Sequence, residues 1–168
     1  MREICLSEAA GLAADALSRG KVFLSVPGET PNVMTIGWGS VGWIWKKPVF
    51  MVVVRPQRHT YELLQRTGEF TVSIPTKADL SAQLAYAGTA SGRDENKFSG
   101  HGLTAAPAQK VRAPIVSECG LYFECKTLLT QDMTEDRMAR EIADRCYPQK
   151  DFHTMFFGEI VACYTTDV

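Results

Sequence analysis

The sequence predicts a mainly β protein in which an antiparallel sheet closes into a barrel and helices pack outside it. The hydrophobic periodicity indicates roughly seven strands and four short helices, so strands predominate. The strands do not alternate regularly with helices, which argues against a doubly wound parallel sheet. Several strands, such as Glu69–Ile74, are apolar on one face only, as in antiparallel sheets that cover a core with one side.

Bulk properties indicate one soluble domain over residues 1–168, long enough to bury a proper core. Apolar residues make up 45% and charged residues 22%, as in ordered soluble proteins. The net charge of −1 and the scattered basic residues argue against partners such as nucleic acid or an anionic membrane. The N-terminus does not resemble a signal peptide, and the five cysteines are an odd, widely spaced set. A cytoplasmic location is therefore expected.

Turn residues and periodicity place the first elements. A helix is expected over Glu8–Ser18, with Ser7 as its cap and Gly20 as its end. Another is expected over Thr60–Gln65, with Thr60 as its cap. Between them the pattern predicts strands over Lys21–Val26, Val33–Trp38 and Val49–Val54, the last two joined by a loop across Gly39–Lys47.

The second half continues the alternation of strands and turns. The strand Glu69–Ile74 stops at Pro75, and a helix over Ala78–Ala87 is closed by Gly88. Thr89–Gly102 is a polar, glycine-rich loop. The remaining expected elements are short apolar pieces at Leu103–Ala106 and Ile115–Ser117, a strand over Gly120–Thr130, a helix over Thr134–Cys146, and a last strand over His153–Tyr164 that is bulged at Gly158.

A candidate anion site follows the strongly apolar strand Val49–Val54, which leads to Arg55, Arg58 and Thr60. Arginines beside a helix N-terminus attract an anion, because the cations and the free backbone N–H groups point at the same charge. Trp38 and backbone amides of the neighbouring strand would suit a flat aromatic group attached to that anion. The combination indicates a phosphorylated cofactor with a ring. The alternative is a solvated basic loop with an ordinary threonine cap.

A second motif, from Gly37 to Gly42, matches the letters of the dinucleotide-binding pattern G-x-G-x-x-G. That pattern needs a helix to begin within it, so that the helix N-terminus meets a pyrophosphate. Pro48 follows too soon for a helix of useful length. The interpretation as a dinucleotide fingerprint is therefore rejected, and the glycines are expected to permit a bulge or a close approach to a ligand.

Two further features are candidates for function. Ser91, Gly92 and Lys97 lie in the polar loop, which either folds over a cofactor or is a mobile connection. His153 heads the last strand, with Asp151 on the same face; a lone histidine is usually structural. No Cys/His spacing fits a metal site and no nucleophile motif is present, so a bound cofactor is expected to carry any chemistry.

Several short motifs between Gly20 and Tyr164 carry more information together than any one alone. They are Asn32-Val-Met34-Thr35-Ile36-Gly37-Trp38, Arg55-Pro56-Gln-Arg58-His-Thr60, Gly68–Pro75, Ser91-Gly92-Arg93-Asp94 with Lys97-Phe98, and His153–Glu159. In order and spacing these motifs resemble the flavin reductase-like family, and most closely its flavoredoxins. The resemblance covers nearly the whole chain.

The resemblance implies an antiparallel split β-barrel that binds FMN, usually as a homodimer with the flavin near the subunit interface. It implies an oxidoreductase that takes electrons from NAD(P)H or a redox protein partner. His153 would lie beside the nicotinamide or substrate side of the flavin. The implied cofactor-binding residues are Asn32, Met34, Thr35, Ile36, Gly37, Trp38, Arg55, Pro56, Arg58, Thr60, Ser91, Gly92, Lys97 and Phe98.

One departure from the family bears on function. Reductases that feed monooxygenases typically have a small, serine- or threonine-rich stretch where this chain has Trp38, which favours a retained FMN. The alternative function is a tightly FMN-bound electron-transfer protein without NAD(P)H turnover of its own. A flavin- or haem-binding module without redox catalysis is a third reading. Trp38, Trp43 and Trp45 are too many to bury in one strand and loop, which also favours a homodimer.

Overall fold

The structure, a computed structural model, describes residues 1–166. Its elements in chain order are β1 (Arg2–Glu3), α1 (Leu6–Ser18), β2 (Val22–Val26), β3 (Asn32–Ile36), β4 (Gly39–Ile44), β5 (Lys47–Val54), α2 (His59–Thr67), β6 (Glu69–Ile74), α3 (Ser81–Thr89), β7 (Ala105–Ala106), β8 (Ile115–Val116), β9 (Leu121–Asp132), a 3-10 turn (Glu135–Arg137), α4 (Arg140–Cys146) and β10 (Thr154–Thr165).

One antiparallel sheet organises the molecule. Its strands lie in the order β3-β2-β6-β9-β10-β5-β4, β1 pairs with β10, and β7 and β8 form a separate small ladder. The end strands β3 and β4 follow each other in sequence but share no ladder within residues 1–166. The sheet is therefore a barrel that does not close, with helices outside it, which confirms the expected split barrel.

The main core lies between the sheet and the helices α1 and α2. Helix α1 contributes Ala9, Ala13, Ala16 and Leu17, all nearly inaccessible to solvent, at the spacing of one helical face. The strands β2 and β6 are buried along almost their whole length, because a second apolar cluster covers their other side under α3 and the segment 103–119. The edge strand β3 packs against α3.

A bulge in β10 lies where the sequence predicts it. The register between β10 and β9 shifts between Phe157 and Gly158. A Cβ atom at Gly158 would lie 2.5 Å from the Phe70 ring and 2.8 Å from Cβ of Cys125. Glycine is therefore required here by the close approach of two buried neighbours.

The variant Gly158→Ala should lower the free energy of unfolding by about 1–3 kcal/mol, the usual cost of overpacking a tight core. Urea denaturation followed by circular dichroism measures the change. Gly42→Ala is the matched control, because a Cβ at this β4 position meets nothing within 4 Å. Equal stability of the two variants would mean that the sheet relaxes around the added methyl group.

The segment Gly39–Ile44 is the strand β4, which forms a β-hairpin with β5, so the expectation of a connection without a strand across Gly39–Lys47 is wrong. Trp45 and Lys46 form the turn with φ angles of 55° and 60°, the left-handed pair that suits the twist of a two-residue hairpin. The strand β4 is solvent-exposed along most of its length, so it lacks the apolar pattern that marks a strand.

Several helix ends also differ from the predictions. Helix α1 begins at Leu6 with Cys5 as its cap residue, and Ser7 lies inside it. Helix α3 runs to Thr89, so Gly88 is helical and faces Thr35 rather than ending the helix. The predicted helix over Thr134–Cys146 is split into the 3-10 turn and α4, because Met138 and Ala139 have extended backbones.

Candidate functional site

Two neighbouring cavities contact β3 and the segment that joins β5 to α2. We call the first, of about 230 Å³, the Trp38 cavity. The second, of about 120 Å³, is the Lys97 cavity. The Trp38 cavity is lined by Met34, Thr35, Ile36, Gly37, Trp38, Val53, Arg55 and His153. The Lys97 cavity is lined by Asn32, Gln57, Arg58, His59, Thr60, Thr89, Ala90, Ser91, Gly92, Arg93 and Lys97.

The strand β3 carries the walls of both cavities because it is an end strand. It pairs with β2 on one side only within residues 1–166, and an edge strand presents unpaired backbone N–H and C=O groups on its other side. Thr35 fixes the strand to α3, since its Oγ1 donates to the carbonyl of Leu84 at 2.5 Å. A flat ligand beside this edge would meet main-chain donors and acceptors.

Two cations, one buried and one half-buried, line the Lys97 cavity. Lys97 is only 2% exposed and its Nζ donates to the carbonyl of Ala87 at 3.0 Å. Arg58 is half-buried and its Nη2 donates to the carbonyl of Gly88 at 2.9 Å. Both carbonyls belong to the last turns of α3, where the helix dipole is negative. Neither cation forms an ion pair with a carboxylate in the part of the chain that the structure describes.

Desolvation makes this arrangement costly without an anion. Burial, with the charge of Arg58 beside it, lowers the pKa of Lys97 to about 8. Burial likewise lowers the pKa of Arg58. Two like charges removed from water are stabilised when a negative group enters between them. The cavity therefore has the electrostatics of an anion site.

Helix α2 adds backbone donors to the same wall. It begins at His59, and the side chain of the cap residue Arg58 makes no capping hydrogen bond. The N–H of Tyr61 donates to the carbonyl of Arg58 at 3.0 Å. The N–H groups of His59 and Thr60 are the first in the helix and have no acceptor within it, so they remain available to an anion. Thr60 is not the cap that the sequence predicts. It is a helical residue, 1% exposed, and its hydroxyl accepts a hydrogen bond from Nδ2 of Asn32 at 2.8 Å.

Asn32 leaves an unpaired acceptor in the Lys97 cavity. Its Oδ1 is buried and has no hydrogen-bond partner among the described residues. A Cβ atom at Gly92 would collide with this oxygen and come within 3.0 Å of the His59 ring. Glycine at position 92 therefore preserves the space in front of Asn32. A buried acceptor without a partner favours a ligand with a hydroxyl or N–H group at this point.

The Trp38 cavity is lined by one indole ring and a neutral imidazole, among other side chains. The centres of the His153 and Trp38 rings are 5.1 Å apart, and Nδ1 of His153 is hydrogen-bonded to the Tyr147 hydroxyl at 2.9 Å. Burial, and then the charge of Arg55, lowers the pKa of His153 to about 4. The imidazole is thus uncharged near neutral pH and can hydrogen-bond a ligand without bringing a positive charge.

Arg55 forms the charged edge of this cavity. It is ion-paired with Asp151, its Nη2 donates to the carbonyl of Cys146 at 3.3 Å, and its guanidinium lies 5.5 Å from the centre of the Tyr147 ring. Its charge is therefore already compensated, in contrast to the charges of Arg58 and Lys97.

Most residues that the sequence predicts for the site line these two cavities. Pro56 and Phe98 do not: Pro56 lines a groove next to His153, and Phe98 packs on the second apolar cluster. Residues that were not predicted also line them or contact the lining, namely Val53, Gln57, His59, Thr89, Ala90, Arg93 and Tyr147. Tyr147 carries no sequence signal, because only the fold brings it to His153. Cofactor binding by all these residues remains a prediction.

Lys97 gives this cavity a testable pH dependence. An anion stabilises the charged form of Lys97, so affinity for an anionic ligand should be full below pH 8 and should fall above it, by at most about tenfold per pH unit. Titrating the apo-protein with FMN from pH 7 to 9.5 measures the slope. Riboflavin, which lacks the phosphate, is the control ligand and should show no such slope. Lys97→Met should abolish the slope; a slope that persists in this variant would assign the titration to another group.

The described residues contain no group of three His, Cys, Asp or Glu side chains arranged to hold a metal ion. Within the same residues, the helices are all too short or too polar to cross a membrane.

Known proteins resemble this chain over most of its length. An uncharacterized protein of Archaeoglobus fulgidus is 33% identical over 142 residues, which cover 84% of this chain and 70% of that protein. The flavoredoxin of Desulfovibrio vulgaris (Miyazaki F) superposes with a TM-score of 0.67 at 27% identity, covering 87% of this chain and 68% of that one. The NADH:FAD oxidoreductase of Streptomyces globisporus C-1027 shares the fold, with a TM-score of 0.66 at 16% identity over 86% and 74% of the two chains.

The family comparison agrees with the fold and with the order of the motifs. The model of the flavin reductase like domain matches residues 15–167. This match covers all the cavity-lining residues and every strand of the main sheet except β1. The chain therefore belongs to the flavin reductase-like family.

Proposed function

We propose that this protein is an FMN-binding oxidoreductase of the flavin reductase or flavoredoxin type. It would accept electrons from NAD(P)H or a protein donor and pass them on through the flavin. The observation that carries the proposal is a pair of cations, the half-buried Arg58 and the buried Lys97, which form no ion pair with a carboxylate among residues 1–166. They lie beside a cavity lined in part by Trp38 and His153.

The residues fit the chemical groups of FMN from one end to the other. Arg58, Lys97 and the first turn of α2 would hold the phosphate. The unpaired Oδ1 of Asn32 would accept a hydrogen bond from a hydroxyl of the ribityl chain. The free edge of β3 and the Trp38 cavity would hold the ring.

The chain's own contribution to the reaction is positioning. When bound, FMN supplies the chemistry of accepting a hydride or single electrons and releasing them again. His153 is uncharged and held by Tyr147, so it can orient a donor by a hydrogen bond without acting as an acid at neutral pH. Trp38 lines the same cavity and would limit the access of water to a bound ring.

A second candidate is an electron carrier that holds FMN tightly and docks a protein partner. The exposed aromatic side chains favour it, because Trp38, Trp43 and Trp45 are 47%, 68% and 55% exposed, and such residues are enriched at protein interfaces. Anaerobic addition of NADH or NADPH to the purified holoprotein discriminates between the two. Bleaching without a partner supports the oxidoreductase, and no bleaching supports the carrier.

The same exposed tryptophans support the homodimer that the resemblance implies. Trp38 lies just before β4, Trp43 lies on that strand, and Trp45 lies in the turn that follows it. A second copy of the chain could therefore cover them beside the Trp38 cavity. Sedimentation equilibrium at micromolar concentration gives the mass directly.

All five cysteines are unpaired, which fits the cytoplasmic location inferred from the sequence.

The proposed function is tested by the cofactor itself. The protein should purify yellow, and heat should release FMN, identified by its mass. Recovery of FAD, or no flavin binding even after reconstitution, would contradict the proposal.

A further inference from the structure

Arg93 forms a bridge across one side of the Lys97 cavity. Its Nη1 donates to the carbonyl of Gln57 at 2.9 Å, and its Nη2 donates to Oε1 of Glu62 at 2.6 Å. Gln57 precedes α2 and Glu62 lies in the first turn of that helix. The side chain therefore ties the loop after α3 to the start of α2. We call Arg93, with its partners Gln57 and Glu62, the Arg93 strap.

The strap lies on the solvent side of the cavity. The side chains of Arg93 and Glu62 are 40% and 57% exposed. The opposite walls are closed, since Lys97, Asn32 and Thr60 are between 1% and 3% exposed. Because Arg93 also lines the cavity, the strap forms part of its solvent-facing rim.

The charge of Arg93 is already paired with that of Glu62 within the protein. The hydrogen bond from Arg93 is the main cause that lowers the pKa of Glu62. Arg58 and Lys97, in contrast, donate only to main-chain carbonyls in the described part of the chain. The three cations around this cavity therefore differ in role: two are available to an anion, and the third closes the wall.

The volume of the Lys97 cavity limits the size of the group that it can hold. At about 120 Å³, the cavity is far smaller than the roughly 300 Å³ or more of pockets that enclose a whole drug-sized ligand. It has room for one phosphate group and little beyond it. A flavin dinucleotide continues from the first phosphate into a second phosphate and a nucleoside, which need an open path.

We propose that the Arg93 strap makes the site selective for a flavin mononucleotide, because it closes the path along which the second phosphate and nucleoside of a dinucleotide would leave the cavity. This inference rests on the proposed function, which requires a bound flavin. The fold does not make this choice by itself, because a protein named as an NADH:FAD oxidoreductase shares it.

Two variants that change the local charge in opposite directions test the strap. Apo-protein is titrated with FMN and with FAD, and the readout is the ratio of the two dissociation constants. The preference for FMN should fall at least about tenfold in Arg93→Ala, and at least about threefold in Glu62→Gln, where the bond to Gln57 remains. A purely electrostatic effect would change the affinities for FMN and FAD by the same factor. Both flavins would bind more weakly to Arg93→Ala and more tightly to Glu62→Gln, and the ratio of the two dissociation constants would stay unchanged.

Arg112→Ala is the matched control. Arg112 forms a comparable ion pair with Glu69 at 2.9 Å, but it does not line the cavity, so the ratio should stay at the wild-type value. An unchanged ratio in both strap variants, or wild-type protein that binds FAD as tightly as FMN, would overturn the inference. Wild-type protein that binds neither flavin would instead overturn the proposed function. If Arg93→Ala melts early, Glu62→Gln decides the outcome.

Discussion

Replacing Arg58 by alanine should weaken FMN binding by about 1.5–3 kcal/mol, the usual scale for hydrogen bonds to charged groups. A guanidinium carries five N–H donors, and that of Arg58 forms a single hydrogen bond, to the carbonyl of Gly88, among the described residues. The remaining donors are available to a phosphate. Riboflavin has no phosphate, so its affinity should change little. Titration of the apo-protein with each ligand, followed by flavin fluorescence, gives both values.

Arg66→Ala is the control for this experiment. Arg66 is an exposed arginine in the last turn of α2, so its loss changes the net charge by the same amount without touching the Lys97 cavity. Equal losses of affinity for FMN and riboflavin in Arg58→Ala would show that Arg58 does not contact the phosphate. A matching loss in Arg66→Ala would show that only the overall charge matters.

Replacing His153 by alanine should slow the reduction of the holoprotein by NAD(P)H at least about tenfold, because hydride transfer depends on the alignment of its two partners. FMN affinity should stay within about threefold, or under roughly 0.7 kcal/mol, since His153 lines the Trp38 cavity and not the Lys97 cavity. Stopped-flow absorbance measures the rate of reduction.

Thermal melts separate this role from a structural one. His153 is hydrogen-bonded to Tyr147 and packs against Trp38, so its loss could simply loosen the start of β10. Tyr147→Phe removes the hydrogen bond while keeping the ring, and it should slow reduction less than His153→Ala. A His153→Ala protein that melts much earlier, yet is reduced at the wild-type rate while folded, would leave the histidine a structural residue.

The parts of the fold that were predicted correctly have strong local patterns. β6 has the predicted bounds, because its apolar side chains alternate and a proline follows. The hairpin strand β4 was missed because its glycines and exposed side chains give no apolar period. The split before α4 depends on the extended backbone at Met138 and Ala139, which helical periodicity cannot reveal.

The candidate site shows the same division between local and tertiary information. Arg58, Lys97 and Trp38 lie in motifs whose spacing suggests their roles, and all line the cavities. The roles of Tyr147 and Arg93 depend on contacts that the fold makes, with His153 and with Glu62. A linear sequence does not show whether a carboxylate reaches a given cation, and that pairing distinguishes Arg93, which is ion-paired with Glu62, from Arg58 and Lys97.

The use of main-chain carbonyls to hold Arg58 and Lys97 has a practical consequence for measuring ligands. Because these carbonyls bear no net charge, a small anion can enter the Lys97 cavity without displacing a carboxylate. Inorganic phosphate or sulfate in a buffer is therefore expected to compete with the flavin phosphate. Affinities measured in phosphate buffer will understate the true value, and dialysis against high phosphate should be a mild route to the apo-protein.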